Sequence, residues 1–194
     1  MKSPALIFLG AFLVNNIILM RFLGLCPFFG VSTAVKIATG MGMAVIFVMT
    51  LASWITWAIY HAILLPFDLV FLRTATFILT IASLVQLVEM FLKKSYRVLY
   101  NALGIYLPLI TTNCAILGIT FLNIDNKFSL LNGTVFALGT GFGFTLVIIT
   151  FAAIRERLDL APINPSLKGY PISFIAASLM ALAFLGFSGL FGLT

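Results

Sequence analysis

Cys26 and Cys114 are the two cysteines of this 194-residue chain, and they fall at matching points of an internal repeat. Leu25-Cys26-Pro27-Phe28-Phe29-Gly30-Val31 and Asn113-Cys114-Ala115-Ile116-Leu117-Gly118-Ile119 share the pattern Cys-x-x-x-Gly followed by Val or Ile. Taken singly, a buried free cysteine is most often a small hydrophobe. Two thiols related by pseudo-symmetry in apolar segments point instead to a shared soft-metal site. Thiolate is the form that binds metal, and a buried thiolate needs a compensating cation. Two cysteines do not complete a tetrahedral sulfur site, and iron–sulfur clusters normally take four thiolates. The shortfall predicts a partner chain that contributes two more. A disulfide is the other use of such a pair, although a bond between membrane helices would serve a stability they rarely need. The lone His61 lies far in sequence from both thiols and reads as an interfacial residue, not a ligand.

The elements that hold these thiols must be membrane helices. Hydrophobic residues make up 62% of the chain and charged residues 8%, with mean hydropathy +1.21. A soluble core of this length needs far less apolar surface. Charge-free runs at 37–60, 99–124, 128–154 and 169–194 are each long enough to cross a bilayer at about 20 residues per span. The run 74–92 carries a single charge, Glu89, and 3–20 with 22–35 makes a less regular first span. The fold class is therefore all-α integral membrane, a single membrane domain over 1–194 with six transmembrane helices. Short loops leave no room for a nucleotide-binding or nucleic-acid-binding domain. The net charge of +6 belongs to loops of a membrane protein and not to a nucleic-acid face. Lys2 and the apolar run after it resemble a signal peptide only faintly. Leu25 is too bulky for a lipoprotein cleavage box before Cys26, so the segment is read as retained.

Basic residues orient the spans. Lys2, Arg73 and Lys127 fall on one side; Lys36, Lys93, Lys94, Arg97, Arg155, Arg157 and Lys168 fall on the other, with Arg21 nearest to them. Both termini are expected on the outer, periplasmic side of a bacterial inner membrane. Trp54, Trp57 and Tyr60 close the second span as an aromatic belt.

The repeat extends past the cysteines. Thr39-Gly40-Met41-Gly42-Met43-Ala44 recurs as Thr140-Gly141-Phe142-Gly143-Phe144-Thr145, and Thr76-Phe77-Ile78 as Ser173-Phe174-Ile175. Each half, about 1–95 and 96–194, holds three spans. Three is odd, so the halves insert with opposite orientation, and the functional site of such inverted repeats sits where broken helices meet near the midplane. Helices 1 and 4 carry the breakers. Gly24, Pro27 and Gly30 surround Cys26; Gly104 and Pro108 precede Thr111-Thr112-Asn113-Cys114, and Gly118 follows. Proline removes a backbone donor and crowds the preceding turn. The freed backbone groups need partners, and Asn15, Asn16, Thr111, Thr112 and Asn113 supply side chains for that. Gly40-x-Gly42 and Gly139-x-Gly141-x-Gly143 lack the strand and acidic partner of a nucleotide loop. They read as sites of close helix approach.

Three long motifs carry a family resemblance: residues 22–32 around Cys26, residues 107–118 around Cys114, and Phe151-Ala152-Ala153-Ile154-Arg155-Glu156-Arg157. Together with the closing residues 179–184 they resemble RnfA-type (RsxA-type) subunits of the NqrDE/RnfAE family, over essentially the whole chain. NqrE-like subunits of the sodium-pumping NADH:quinone oxidoreductase are similar throughout, but Pro27 and the Thr111-Thr112-Asn113 run look more like the Rnf type. The resemblance implies a membrane electron-transfer subunit paired with an RnfE-like paralogue. The pair would share an intramembrane [2Fe-2S] cluster, or a single iron on the same thiolates, with Cys26 and Cys114 as this chain's two ligands. It also implies partners of the RnfB, RnfC, RnfD and RnfG types, and electron flow between ferredoxin and NAD coupled to Na⁺ or H⁺ translocation. This chain alone would bind neither flavin nor NAD.

Two other classes compete on the residues alone. A secondary transporter suits the inverted repeat but has few intramembrane polar groups to recognise a substrate. A passive scaffold leaves the matched cysteines unexplained. Glu89 is the carboxylate inside a span and a candidate for cation coupling. Its plainer role is a helix-end pair with Lys93 at the i,i+4 spacing. Arg155, Glu156, Arg157 and Asp159 read as a docking loop or a solvated charge cluster.

Overall fold

Long charge-free stretches leave the backbone one way to satisfy itself in lipid, which is the helix. The computed structural model describes residues 3–67, 70–95, 107–162 and 167–187, and among these every regular element is helical. The elements are α1 (Pro4–Leu9), α2 (Leu25–Gly30), α3 (Val35–Ile59), α4 (Arg73–Ser95), α5 (Leu107–Thr111), α6 (Cys114–Asp125), α7 (Leu130–Leu160) and α8 (Tyr170–Leu185). Val35–Leu64, Val70–Met90 and Leu130–Leu160 are long and apolar enough to cross a bilayer. Pro4–Val14, Leu109–Asp125 and Tyr170–Leu185 are apolar but shorter. Gly104, Arg97 and the chain beyond 187 lie outside the described residues.

The spine of the molecule is α3 packed antiparallel on α7. Contacts step along both helices, from the Val35 N–H on Glu156 Oε1 (2.8 Å) to Trp54 Nε1 donating to Thr134 Oγ1 (2.7 Å). Between these ends the two copies of the Thr-Gly-x-Gly motif meet. A Cβ on Gly42 would lie 2.7 Å from Thr145 Oγ1, and one on Gly141 would lie 3.0 Å from Ile46. Small residues therefore admit the partner helix from both sides. In lipid this matters more than apolarity, because lipid tails are as apolar as leucine and packing carries the association. α1 lies parallel to α7, with the carbonyls of Phe8 and Phe12 against Gly139 and Gly143.

Charges gather at two ends. At one, Arg73 pairs with Asp125 at 2.7 Å, and Trp57 Nε1 donates to the Phe128 carbonyl at 3.2 Å. His61 stacks on Trp57 there, with ring centroids 4.1 Å apart, at the opposite end of α3 from Val35. At the other, Arg155 Nη1 donates to the Phe29 carbonyl and to Ser32 Oγ, both at 2.9 Å, while Phe28 stacks on Phe151 at 4.1 Å. Arg21 departs from its expected side. It lines a cavity of about 300 Å³ with Leu6, Asn126, Phe128 and Phe136, residues of the Arg73 end. The reason is that the chain turns back after α1 before descending through α2.

Glu156 has a defined use. α3 begins after Ala34, which offers no side-chain cap, and Glu156 reaches across from α7 to accept the first free N–H of α3. A carboxylate there satisfies an orphan donor and complements the helix dipole. Glu156→Ala is expected to lower stability by about 1 kcal/mol, the usual worth of a helix N-cap. A thermal scan of the purified complex checks this, and an unmoved transition would make the contact incidental.

Candidate metal centre

Both cysteines stand at helix starts that follow a break. The first break runs from Asn15 to Gly24. A π turn over Gly10–Val14 ends with the Asn15 N–H on the Gly10 carbonyl at 2.7 Å, and the chain then leaves helical geometry. Asn16, fully buried, accepts the Ile18 N–H on Oδ1 at 3.1 Å. Gly24 closes the break in the left-handed region at φ +83°, where a side chain is strained. Cys26 is then the second residue of α2. The second break is short. α5 ends at Thr111, and Asn113 caps α6 with Oδ1 accepting the Ala115 N–H at 3.0 Å. Cys114 is the first residue of α6.

Pro27 does not mark the first break point. Pro27 sits in the first turn of α2; the residues ahead of Leu107, and with them the place of Pro108 in its helix, lie outside the described residues. A missing N–H costs a helix nothing in its first turn, where the donors have no partner anyway. Pro27 therefore begins a helix, and the interruption falls before it, at Gly24. Gly30 is the last residue of α2 and exposed, with only Leu109 at 3.7 Å from an added Cβ. Gly118 is tight: a Cβ there would meet Leu23 at 2.6 Å, which locks α6 against the first break.

The breaks meet midway along α7. Gly24 is buried against Phe144 and Ala115, and its N–H donates to Cys114 Sγ at 2.9 Å. A residue two before one cysteine thus holds the other. Both thiols are free; Cys114 is half-buried and Cys26 is exposed. Asn113 is 3% exposed, and its Nδ2 has no hydrogen-bond partner among the described residues. The chemistry of this set suits part of a thiolate metal site. It offers two soft ligands at helix starts, an N–H on one sulfur and, on the residue before Cys114, a buried amide donor with no partner among the described residues. Among the described residues no group of three or more His, Cys, Asp or Glu comes together. A metal held by Cys26 and Cys114 would need further ligands from outside this set.

Other sequence candidates lie apart from this point. Glu89 is half-buried on α4, near the end that leads to Lys94. The side chain of Lys93, its candidate partner, lies outside the described residues. The buried pair of Asn123 Nδ2 and Ser53 Oγ, 2.6 Å apart, went unnoticed in the sequence, where nothing distinguishes it from ordinary polar spacing. So did the role of the Gly24 N–H, although a glycine two residues before the cysteine was the available signal.

Comparison with known proteins decides the family. Residues 5–191 match the family model of the Rnf-Nqr membrane-protein subunits. The chain belongs to the Rnf-Nqr family. It is 56% identical to the A-type subunit of the ion-translocating oxidoreductase complex of Syntrophotalea carbinolica, over 98% of each chain. It is 55% identical to the A-type subunit of the Na⁺-translocating ferredoxin:NAD⁺ oxidoreductase complex of Acetobacterium woodii, over 95% of this chain and 96% of that one. The corresponding protein of the ion-translocating complex of Azoarcus sp. is 53% identical, again over 98% of both. This Rnf-Nqr chain is a membrane protein similar to the A-type subunits, as its motifs around Cys26 and Cys114 led one to expect.

Proposed function

We propose that this chain is an electron-carrying membrane subunit of an Rnf complex, in which Cys26 and Cys114 supply two of the four ligands of an iron–sulfur centre shared with an RnfE-like paralogue. The observation that carries the reading is the Gly24 N–H on Cys114 Sγ, which ties the two cysteine-bearing breaks together midway along α7. The exposure of Cys26 leaves room for a second chain to complete the site. When bound, such a centre, [2Fe-2S] or a single iron, would take up and release one electron. The protein's part is to hold two thiolates rigidly in a medium where ligands are scarce. Relatives named for ion translocation, and one for Na⁺ with ferredoxin and NAD⁺, support electron flow between ferredoxin and NAD coupled to a cation. The reading also takes the six spans as two inverted halves. The antiparallel α3–α7 pair and the two breaks support that, and basic-residue counts support termini outside the cytoplasm. RnfB, RnfC, RnfD and RnfG types would complete the assembly.

The test is iron and acid-labile sulfide per purified complex, with EPR of the reduced protein, in wild type, Cys26→Ser and Cys114→Ser. Iron and sulfide lost together are expected. Iron lost from a sample without sulfide would indicate a mononuclear site. Unchanged iron in both variants would sink the proposal and return the chain to the transporter or scaffold class.

A further inference from the structure

We infer that the Gly24 N–H and the Asn113 side-chain amide are two donors that set the reduction potential of the centre at Cys114, raising it. This rests on the reading of Cys26 and Cys114 as iron ligands and adds which residues govern how readily that iron is reduced.

The geometry is specific. The Gly24 N–H already lies 2.9 Å from Cys114 Sγ. Its direction is fixed by a φ of +83° and by walls on either side, since an added Cβ would lie 3.0 Å from Phe144 and 3.1 Å from Ala115. The same Cβ would lie 3.3 Å from Asn113 Oδ1, so the Asn113 amide borders the gap that Gly24 occupies. The Ala115 N–H on Oδ1 identifies which end of that amide is oxygen, leaving Nδ2 as the donor. Nδ2 is buried without a partner among the described residues. An orphaned buried donor costs about 1–3 kcal/mol. Capping α6 needs only the oxygen, and serine or aspartate would cap it without the orphan. A sulfur of the proposed centre would be that acceptor.

The sign follows from charge. One-electron reduction adds a negative charge to a thiolate-ligated centre and makes or breaks no bond in the protein. Donors to sulfur stabilise the more negative state, so they raise the potential; hydrogen bonds to sulfur are among the protein's levers on it. Gly24 and Asn113 are positioning residues here, acting through the ligand sulfur or its neighbour.

The experiment is an EPR-monitored redox titration of the whole purified complex, with dithionite as reductant and iron and sulfide counted in each sample. Asn113→Ser and Asn113→Asp keep a capping oxygen and lose the amide donor. Both are expected to retain metal and to need a lower potential for half-reduction. A tenfold fall in the reduced-to-oxidised ratio at fixed potential corresponds to about 59 mV for one electron. Gly24→Ala, whose Cβ must push the loop from the sulfur, should shift the midpoint the same way. Retained metal with wild-type midpoints overturns the inference, and loss of metal in both Asn113 variants reduces that residue to a structural cap and overturns its part. Should Gly24→Ala fail to assemble, pulsed EPR of wild type carrying nitrogen-15 glycine decides: a glycine nitrogen coupled to the reduced centre supports the donor, and its absence overturns it. Iron retained in Cys26→Ser and Cys114→Ser is a separate outcome, and it would sink the underlying reading whatever the midpoints.

Discussion

Under the proposed function, electron flow between ferredoxin and NAD through the intact complex should fall at least about a hundredfold in Cys26→Ser and equally in Cys114→Ser, with assembly preserved. The scale is set by outer-shell partners, whose loss typically costs 10–100-fold at metal sites, so a lost ligand costs no less than about the upper figure. Preserved assembly follows from the surroundings of each thiol. Cys26 is exposed, so serine there removes no packing. Cys114 accepts the Gly24 N–H, and a serine hydroxyl oxygen accepts it as well. Neither substitution leaves an orphaned backbone donor, so a loss of flux isolates the sulfur. Equality of the two losses is the sharper part. If the cysteines were packing residues, the half-buried position would respond and the exposed one would not. A measured flux near wild type in Cys26→Ser alone would contradict a shared centre. The assay is stopped-flow or steady-state NAD⁺ reduction by reduced ferredoxin, with subunit content checked by size exclusion.

The sequence revealed the thiols more readily than their setting. Cys26 and Cys114 stand out because they are two of a kind in matching seven-residue frames, and no tertiary information is needed to see that. The long helices α3 and α7 were equally plain, since a charge-free run of this length has few other fates in a bilayer. The glycine motifs were read as points of close approach, and the α3–α7 contact puts them there. What escaped was the exact place of each interruption. Proline drew attention to Pro27, yet it sits in the first turn of α2, and the breaks fall at Gly24 and at Thr111–Asn113. Proline's effect is one-sided: it forbids a helix from continuing upstream through it and tolerates one that starts there. Arg21 was placed by counting along the chain, and the count failed because 15–24 turns back on itself before α2. Contacts that reach across 90 residues, such as the Gly24 backbone N–H on Cys114 Sγ, leave no periodic trace at all.

The small-residue contacts that carry this bundle lead to the second large effect, which concerns Gly143. A Cβ there would lie 2.6 Å from the Phe12 carbonyl oxygen and 3.0 Å from Asn16 Nδ2. Backbone cannot swing aside as a side-chain tip can, so α1 must retreat from α7 along the π turn that leads into the first break. Overpacking of this kind costs about 1–3 kcal/mol, and contact with a carbonyl puts it at the upper end. It opposes the gain of up to about 1 kcal/mol that alanine brings over glycine inside a helix. Gly143→Ala should therefore lose about 2 kcal/mol net by these terms, and the displaced Asn16 should loosen the Gly24 segment that holds Cys114. Gly133→Ala is the matched control on the same helix. Its Cβ would meet the Asn123 amide no closer than 3.5 Å, an ordinary contact, so the helix gain should stand nearly alone. Thermal unfolding of the purified complexes should place Gly143→Ala well below wild type and Gly133→Ala at or above it. Iron content should fall in the first and not in the second. Equal transitions in the two variants would mean that α1 yields freely, and the rigid support assigned to the cysteine site would have to be sought elsewhere than in the α1–α7 contact.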